Sequence, residues 1–423
     1  MMTNFFQERN GILYVEDVAL TDIAEQFGTP SYVYSRAALM AAAQEFHAAL
    51  GGVVDLVCYA VKANGNLAIL NLLARLGFGF DIVSGGELAR VLAAGGDPAK
   101  TVFSGVGKTV AEMEAALQAG ILCFNIESAA ELSVLAATAA RLGKVAPVSF
   151  RVNPDVDAKT HPYISTGLKE NKFGVAFDEA RALYRQAAAL PSLRVVGIDM
   201  HIGSQITELA PFREAAEKLL QLVRVLEADG IALEHIDIGG GLGVRYRDEQ
   251  PIPLGAFAQM LREVFAGRPE RLMMEPGRRL VAHIGVLLTR VLYLKPGAPR
   301  NFAIVDAAMT DLVRPALYEA WHPVFAVTKR STTENTSGSE KNWDIVGPVC
   351  ESGDFLAHER PLALREGDLL AVGVVGAYGM AMSSNYNARP RACEVMVDGS
   401  EITLIRAREE VKKLWEAERI LPK

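Results

Sequence analysis

From about Ser31 to Gly277 the chain alternates short β-rich runs with longer, alanine-rich segments, and no other feature limits its fold so tightly. The candidate strands are Tyr32–Ser35, Val53–Lys62, Gly79–Ser84, Val102–Gly105, Leu122–Ile126, Val148–Asn153, Val195–His201, His235–Gly239 and Arg271–Glu275. Helical patterns such as Ser128–Leu142 and Pro211–Ala228 fall between them, and a repeating βα unit predicts a parallel sheet with helices outside it. Nine strands exceed an eight-stranded barrel by one. The first precedes the first long helix, so Tyr32–Ser35 is assigned to another domain. The span that remains, roughly 245 residues, is close to the ~250 of a (β/α)8 barrel.

Beyond about Ala282 the texture changes to strand-like runs with turns: Gly285–Leu294, Asn301–Val305, Trp343–Val349, Asp368–Val375, Glu394–Val397 and Glu401–Arg406. The expected architecture is α/β: a (β/α)8 TIM barrel over 38–283 and a second, mainly antiparallel β-barrel domain built from 1–37 plus 284–423. A chain of 423 residues exceeds the usual span of one core, which agrees with two domains. Thr328–Lys341, rich in Ser, Thr, Asn and charge, predicts a solvated loop. Arg406–Arg419 predicts an amphipathic helix.

A net charge of −7, a pI near 5.7 and the lack of any basic run exclude a nucleic-acid footprint. No apolar stretch reaches the length of a membrane span, and the polar start lacks the regions of a secretory signal, so a cytoplasmic protein with small-molecule partners is expected. The cysteines Cys58, Cys123, Cys350 and Cys393 are scattered and form no CxxC pair, which suggests neither a metal site nor a disulfide framework.

Catalytic residues of this barrel sit at the C-terminal ends of its strands. Those ends carry Lys62, Asp81 and Ser84, Ser104, Asn125, Arg151, His201, Gly239-Gly240-Gly241 and Glu275, nearly all polar or glycine. Lys62 closes an apolar run, where desolvation suits an amine to Schiff-base chemistry; a lysine snorkelling from a strand end is the plainer alternative. Gly239-Gly240-Gly241-Leu242-Gly243 is either a phosphate cradle of backbone N–H groups or a tight turn. His201 is either a ring that stacks on a planar ligand or a structural histidine. Glu275-Pro276-Gly277-Arg278 sets a carboxylate and a guanidinium on one stiff turn, suited to a pyridine nitrogen and an anion, or to an ordinary ion pair.

Tyr59-Ala60-Val61-Lys62-Ala63-Asn64, His201-Ile202-Gly203-Ser204-Gln205, Gly239-Gly240-Gly241-Leu242-Gly243 and Glu275-Pro276-Gly277-Arg278, in that order, resemble the motifs of the alanine-racemase-fold, pyridoxal-phosphate-dependent decarboxylases. Gly347-Pro348-Val349-Cys350-Glu351-Ser352-Gly353-Asp354 and Asp311-Leu312-Val313-Arg314-Pro315-Ala316-Leu317-Tyr318 are similar to the branch acting on diaminopimelate. The resemblance covers nearly the whole chain. It implies pyridoxal 5'-phosphate as cofactor, with Lys62 as its Schiff-base residue, His201 stacked on its ring and Glu275 at its pyridinium nitrogen. Phosphate would be held by Ser204, Gly241, Arg278 and Tyr378, with Asp81, Pro276 and Gly277 also in the cofactor-binding set. Arg278, Arg314, Tyr318, Glu351 and Tyr378 correspond to substrate contacts, and Cys350 to an acid that reaches the cofactor from the partner subunit of a homodimer.

The implied reaction converts meso-2,6-diaminoheptanedioate to L-lysine and carbon dioxide. Arg278 and Arg314 favour a substrate with a distal carboxylate, which ornithine, lysine and arginine lack. Glu275 argues against a racemase, which the resemblance associates with arginine at that position. A non-catalytic relative would be expected to have lost Lys62 or Cys350.

Overall fold

The computed structural model describes residues 4–157, 172–329 and 340–423. It divides into two compact units, one of residues 43–245 and 249–280, the other of residues 1–42, 246–248 and 281–423.

The first unit is a closed ring of eight parallel strands: Leu56–Ala60, Gly79–Ile82, Thr101–Phe103, Cys123–Ile126, Ala146–Asn153, Leu193–Asp199, His235–Asp237 and Arg271–Met274. Each pairs with the next, and the last closes the ring on the first through Met273 opposite Leu56 and Met274 opposite Val57. The strands are short and buried on both faces, which is why they read as near-continuous apolar runs. The helices between them begin with the expected chemistry. Ser84 and Ser128 accept from the backbone N–H groups of Glu87 and Glu131, and Thr109 and Glu112 form a reciprocal capping box.

Period-two alternation decides what enters the barrel. Cys58, Val102, Cys123, Val196 and Met273 form an apolar cluster. Toward the C-terminal ends the buried residues turn polar, with Asp81, Asn125, Arg151, Asp199, Asp237 and Glu275 all at most 9% exposed. The first strand ends two residues short of Lys62, which lies on the 3-10 turn Val61–Ala63.

The second unit carries a nine-stranded sheet. Its strands are Ser31–Ser35, Gly285–Lys295, Asn301–Val305, Val324–Ala326, Lys341–Val346, Phe355–Leu362, Leu369–Val372, Cys393–Asp398 and Glu401–Arg406. Pairing is antiparallel except between Asn301–Val305 and Lys341–Val346 and between Ser31–Ser35 and Cys393–Asp398. The sheet branches at Gly285–Lys295, and among the described residues its pairings do not close into a ring. Val15, Leu20, Val33, Leu288, Ala371 and Val397 belong to its core.

Two expectations change. The amphipathic helix over Arg406–Arg419 does not form: Glu401–Arg406 is a strand, and only the 3-10 turn Val411–Leu414 follows. The apolar residues that suggested a buried face stay in solvent, Val411 at 48% and Trp415 at 50% exposure, and without packing so short a helix has little to hold it. Phe355–Leu362 is a strand that the pattern does not announce, because His358, Glu359, Arg360 and Pro361 interrupt it. Of the polar segment 328–341, residues 330–339 lie outside the described residues. Among the described residues no helix is long and apolar enough to cross a membrane.

Candidate active site

Lys62 and Asp81 leave adjacent barrel strands, paired through Ala60 and Asp81, and their side chains meet with Nζ 3.0 Å from Oδ2. The lysine side chain is 41% exposed, whereas the aspartate is fully buried and its Oδ1 has no hydrogen-bond partner. A cation at the mouth is thus held by an anion in the wall.

Glu275 follows the eighth strand. The Asn125 amide donates to its Oε1 at 3.3 Å and to Ser104 Oγ at 3.1 Å, tying three strand ends together. Burial, then the charges of Asp81, Asp237 and Asp199, push the Glu275 carboxyl well above the usual carboxylate range, with Lys62 opposing. Asp199 and Asp237 lie close by, and one oxygen from each of the three acids falls within 4.8 Å of the others. Burial raises both aspartates, and Asp237 is carried up to about 7 although it accepts a 2.8 Å bond from the Gly239 N–H.

His201 accepts a 3.1 Å hydrogen bond at Nδ1 from the Gly240 N–H, which leaves the proton of the neutral ring on Nε2. Burial, then the cations Arg151 and Lys62, hold this imidazole well below its ordinary value, so it is neutral at physiological pH. The glycines here are spatial necessities. A Cβ on Gly239, which stands at φ +67°, would lie 2.2 Å from the Met200 carbonyl oxygen, and one on Gly240 would lie 2.1 Å from that of Glu275. The glycine loop is therefore pressed between the His201 loop and the Glu275 turn. On that turn Arg278 donates to Ser204 Oγ at 3.0 Å, bringing together a guanidinium and a hydroxyl suited to an anion. Pro276 and Gly277 form the connection; a Cβ on Gly277 would touch Ala63 at 3.1 Å, immediately beside Lys62.

The sequence-predicted residues of the barrel unit thus gather at the strand ends: Lys62, Asp81, His201, Ser204, Gly241, Glu275, Pro276, Gly277 and Arg278. Asp199 and Asp237 were not singled out from the sequence. The alternations Gly197-Ile198-Asp199 and His235-Ile236-Asp237 carry the signal that they point inward.

The remaining predicted residues belong to the sheet unit. Arg314 opens the short helix Arg314–Tyr318, is 6% exposed, and lies with its guanidinium carbon 4.7 Å from the centre of the Tyr246 ring. Its NH1 is 2.8 Å from His322 Nε2. Tyr318, at the other end of that helix, is half-buried. Cys350 and Glu351 are exposed at the tip of a tight loop organised by Asp354, whose carboxylate accepts from the N–H groups of Val349 and Met309. Tyr378 takes a left-handed backbone, φ +58°, between glycines that could not carry a Cβ. A Cβ on Gly376 would lie 1.9 Å from the Val281 carbonyl oxygen and one on Gly379 would lie 2.5 Å from that of Val375.

Residues 36–282 match the family described as pyridoxal-dependent decarboxylase, pyridoxal binding domain. A diaminopimelate decarboxylase of Pseudomonas aeruginosa is 60% identical over 417 residues, covering 99% of each chain. The crystal structure of diaminopimelate decarboxylase from Helicobacter pylori complexed with L-lysine superposes with a TM-score of 0.89 at 43% identity, over 94% of this chain and 99% of that one. The enzyme of the same name from M. jannaschii, also in complex with L-lysine, gives a TM-score of 0.93 at 37% identity, over 100% of this chain and 99% of that one. The chain belongs to the pyridoxal-dependent decarboxylases, in the branch formed by the diaminopimelate decarboxylases.

Proposed function

We propose that this carboxy-lyase converts meso-2,6-diaminoheptanedioate to L-lysine and carbon dioxide with pyridoxal 5'-phosphate. The observation that carries the reading is Lys62 at a barrel mouth, 3.0 Å from the fully buried Asp81, in a chain 60% identical to a named diaminopimelate decarboxylase. The relatives solved with L-lysine support the product.

The donor set fits the cofactor. Lys62 offers an amine to its carbonyl, and the Asp81 carboxylate keeps that amine oriented. Ser204, Arg278, the Gly241 N–H and Tyr378 would hold the phosphate. The neutral His201 ring, fixed by the Gly240 N–H, offers a flat face for stacking without adding a positive charge. Glu275, whose proton affinity is raised by burial and then by its acidic neighbours, can share a proton with a ring nitrogen, and Asn125 fixes its orientation. When bound, the cofactor supplies an electron sink for the pair left behind as carbon dioxide departs. Pro276 and Gly277 give the turn its shape.

Specificity in this reading lies with the substrate's far end. Arg278 and Arg314 take its distal carboxylate, Glu351 its distal ammonium, and Tyr318 and Tyr378 line the approach. The Cys350 thiol donates the proton that replaces the lost carboxylate at the α carbon. In this reading it does so across a homodimer, with the sheet unit supplying substrate and interface residues and the barrel holding the cofactor. Exposure of Cys350 and Glu351 in the single chain supports that arrangement. A cytoplasmic setting, without membrane or nucleic-acid partners, completes the reading.

The test is to offer the protein meso-diaminopimelate, L-lysine, L-ornithine and L-arginine in parallel and measure carbon dioxide. Release from diaminopimelate alone is expected. Preference for a substrate without a distal carboxylate would overturn the assignment.

A further inference from the structure

The geometry points to His322 as a positioning residue for Arg314: it presents a neutral nitrogen that fixes the guanidinium without cancelling its charge. This rests on the reading of Arg314 as a contact to the substrate's distal carboxylate.

His322 is fully buried in the sheet unit. Its Nδ1 lies 2.9 Å from the carbonyl oxygen of Gly373, which can only accept. Nδ1 therefore carries the proton. Its Nε2 lies 2.8 Å from Arg314 NH1, which can only donate. In the neutral Nδ1–H form both contacts are satisfied; a proton on Nε2 would set donor against donor.

The imidazole is itself fixed. The Tyr246 ring stands nearly perpendicular to it, with centres 5.3 Å apart and planes at 79°, and the Arg314 guanidinium lies over the Tyr246 ring. The His322 backbone carbonyl accepts from Arg360 at 3.1 Å, and Arg360 packs over the neighbouring Trp321 ring at 4.6 Å. Arg314 is thus set in one orientation by a nitrogen lone pair and an aromatic face.

The choice of acceptor matters for specificity. A carboxylate at the His322 position would grip Arg314 more strongly, but it would compete with an incoming carboxylate for the same planar fork. A neutral nitrogen uses one N–H and adds no charge. Bidentate recognition then meets a guanidinium whose rotational freedom has already been removed.

The test is steady-state kinetics with meso-diaminopimelate on the cofactor-loaded enzyme, comparing His322→Phe, His322→Gln, Arg314→Ala and the double variant Arg314→Ala/His322→Phe. His322→Phe should raise KM roughly ten- to a hundredfold, the range for losing a hydrogen bond to a charged group, with kcat changed far less. His322→Gln, whose amide oxygen can stand where Nε2 stands, should keep KM near wild type. In the Arg314→Ala background, His322→Phe should add nothing, because its effect is transmitted through the arginine. Should His322→Phe fail to fold, His322→Asn takes its place: its amide reaches toward Gly373 but falls short of Arg314, so it should show the KM rise that Gln avoids. A raised KM for Arg314→Ala beside normal His322→Phe kinetics, equal losses for the acceptor and non-acceptor variants, or an undiminished penalty in the double variant would each overturn the proposal. An unchanged KM for Arg314→Ala would overturn the reading of Arg314 and this proposal with it.

Discussion

Lys62 and Lys108 each follow the C-terminal end of a barrel strand, and each meets a carboxylate from the next βα unit: Asp81 at 3.0 Å and Glu131 at 2.7 Å. The Lys108 side chain is fully buried, as is most of Glu131, and its ammonium donates to the carbonyls of Gly105 and Asn125 as well as to the acid. All three of its donors are used within the protein. Lys62 keeps 41% of its side chain in solvent, and its partner is the fully buried member. The same residue types in related places thus build a peg in one corner and an accessible amine in the other. What separates them is where the desolvated end of the pair lies.

The comparison breaks most decisively at Lys62 itself. Lys62→Ala should abolish carbon dioxide release in a chain that still folds, at some cost in stability because the buried Asp81 loses its partner, and borohydride reduction of the wild-type holoenzyme followed by peptide mapping should find the pyridoxyl adduct on Lys62. An adduct on Lys108 would invert the comparison. Complementation sharpens it next. If Cys350 acts across a homodimer, mixing inactive Lys62→Ala and Cys350→Ala chains puts both lesions in one site and leaves the other intact. Random reassortment makes half the dimers mixed, so roughly a quarter of wild-type sites should return. Continued inactivity after verified subunit exchange would place both residues within one chain's site or remove Cys350 as the acid.

Lys108→Met should act on stability instead. Breaking a buried pair and leaving one charge behind typically costs about 3–5 kcal/mol, so urea unfolding should shift strongly while activity per folded molecule survives. A loss of turnover without a loss of stability would make Lys108 something other than a peg.

A smaller effect belongs to the acids beneath Lys62. Because Asp237 is carried up to about 7, the folded protein holds a proton there that the unfolded chain releases near pH 4. That contribution to stability is intact below the unfolded value and is lost as pH rises through about 7. Asp237→Asn, which keeps an oxygen for the Gly239 N–H, should therefore gain stability relative to wild type between pH 5 and pH 8, on the order of 2 kcal/mol. Denaturation curves at the two pH values check the sign, and a parallel pH dependence for both proteins would show that Asp237 does not titrate in that window.

The barrel was legible in the sequence because each strand is a short apolar run ended by a polar residue or glycine, and because caps such as Ser128 mark the helices. Lys62, Glu275 and the glycine loop were legible for the same reason: strand ends are local features. Asp199 and Asp237 were less visible because their meaning depends on the barrel closing, which brings together strands distant in sequence. The pairing of Lys108 with Glu131, 23 residues apart, and that of Arg314 with His322 across a helix end are likewise products of folding. In the nine-stranded sheet, alternation located most strands but neither Val324–Ala326, too short to show a pattern, nor Phe355–Leu362, where charge and proline mask a strand held by its neighbour Lys341–Val346, and it also passed over the short N-terminal strands Phe6–Arg9, Ile12–Val15 and Val18–Ala19.

The close seat of Gly240 against the Glu275 carbonyl has a practical meaning for anyone wishing to redesign the pocket. The loop proposed for the phosphate and the turn bearing the acid are in effect one machined part, with no clearance at position 240 even for a methyl group. Libraries that randomise this position would mostly sample misassembled mouths rather than new specificities. Variation is better directed to Glu351, which the proposed reading sets against the substrate's distal ammonium and whose replacement asks nothing of this loop and turn.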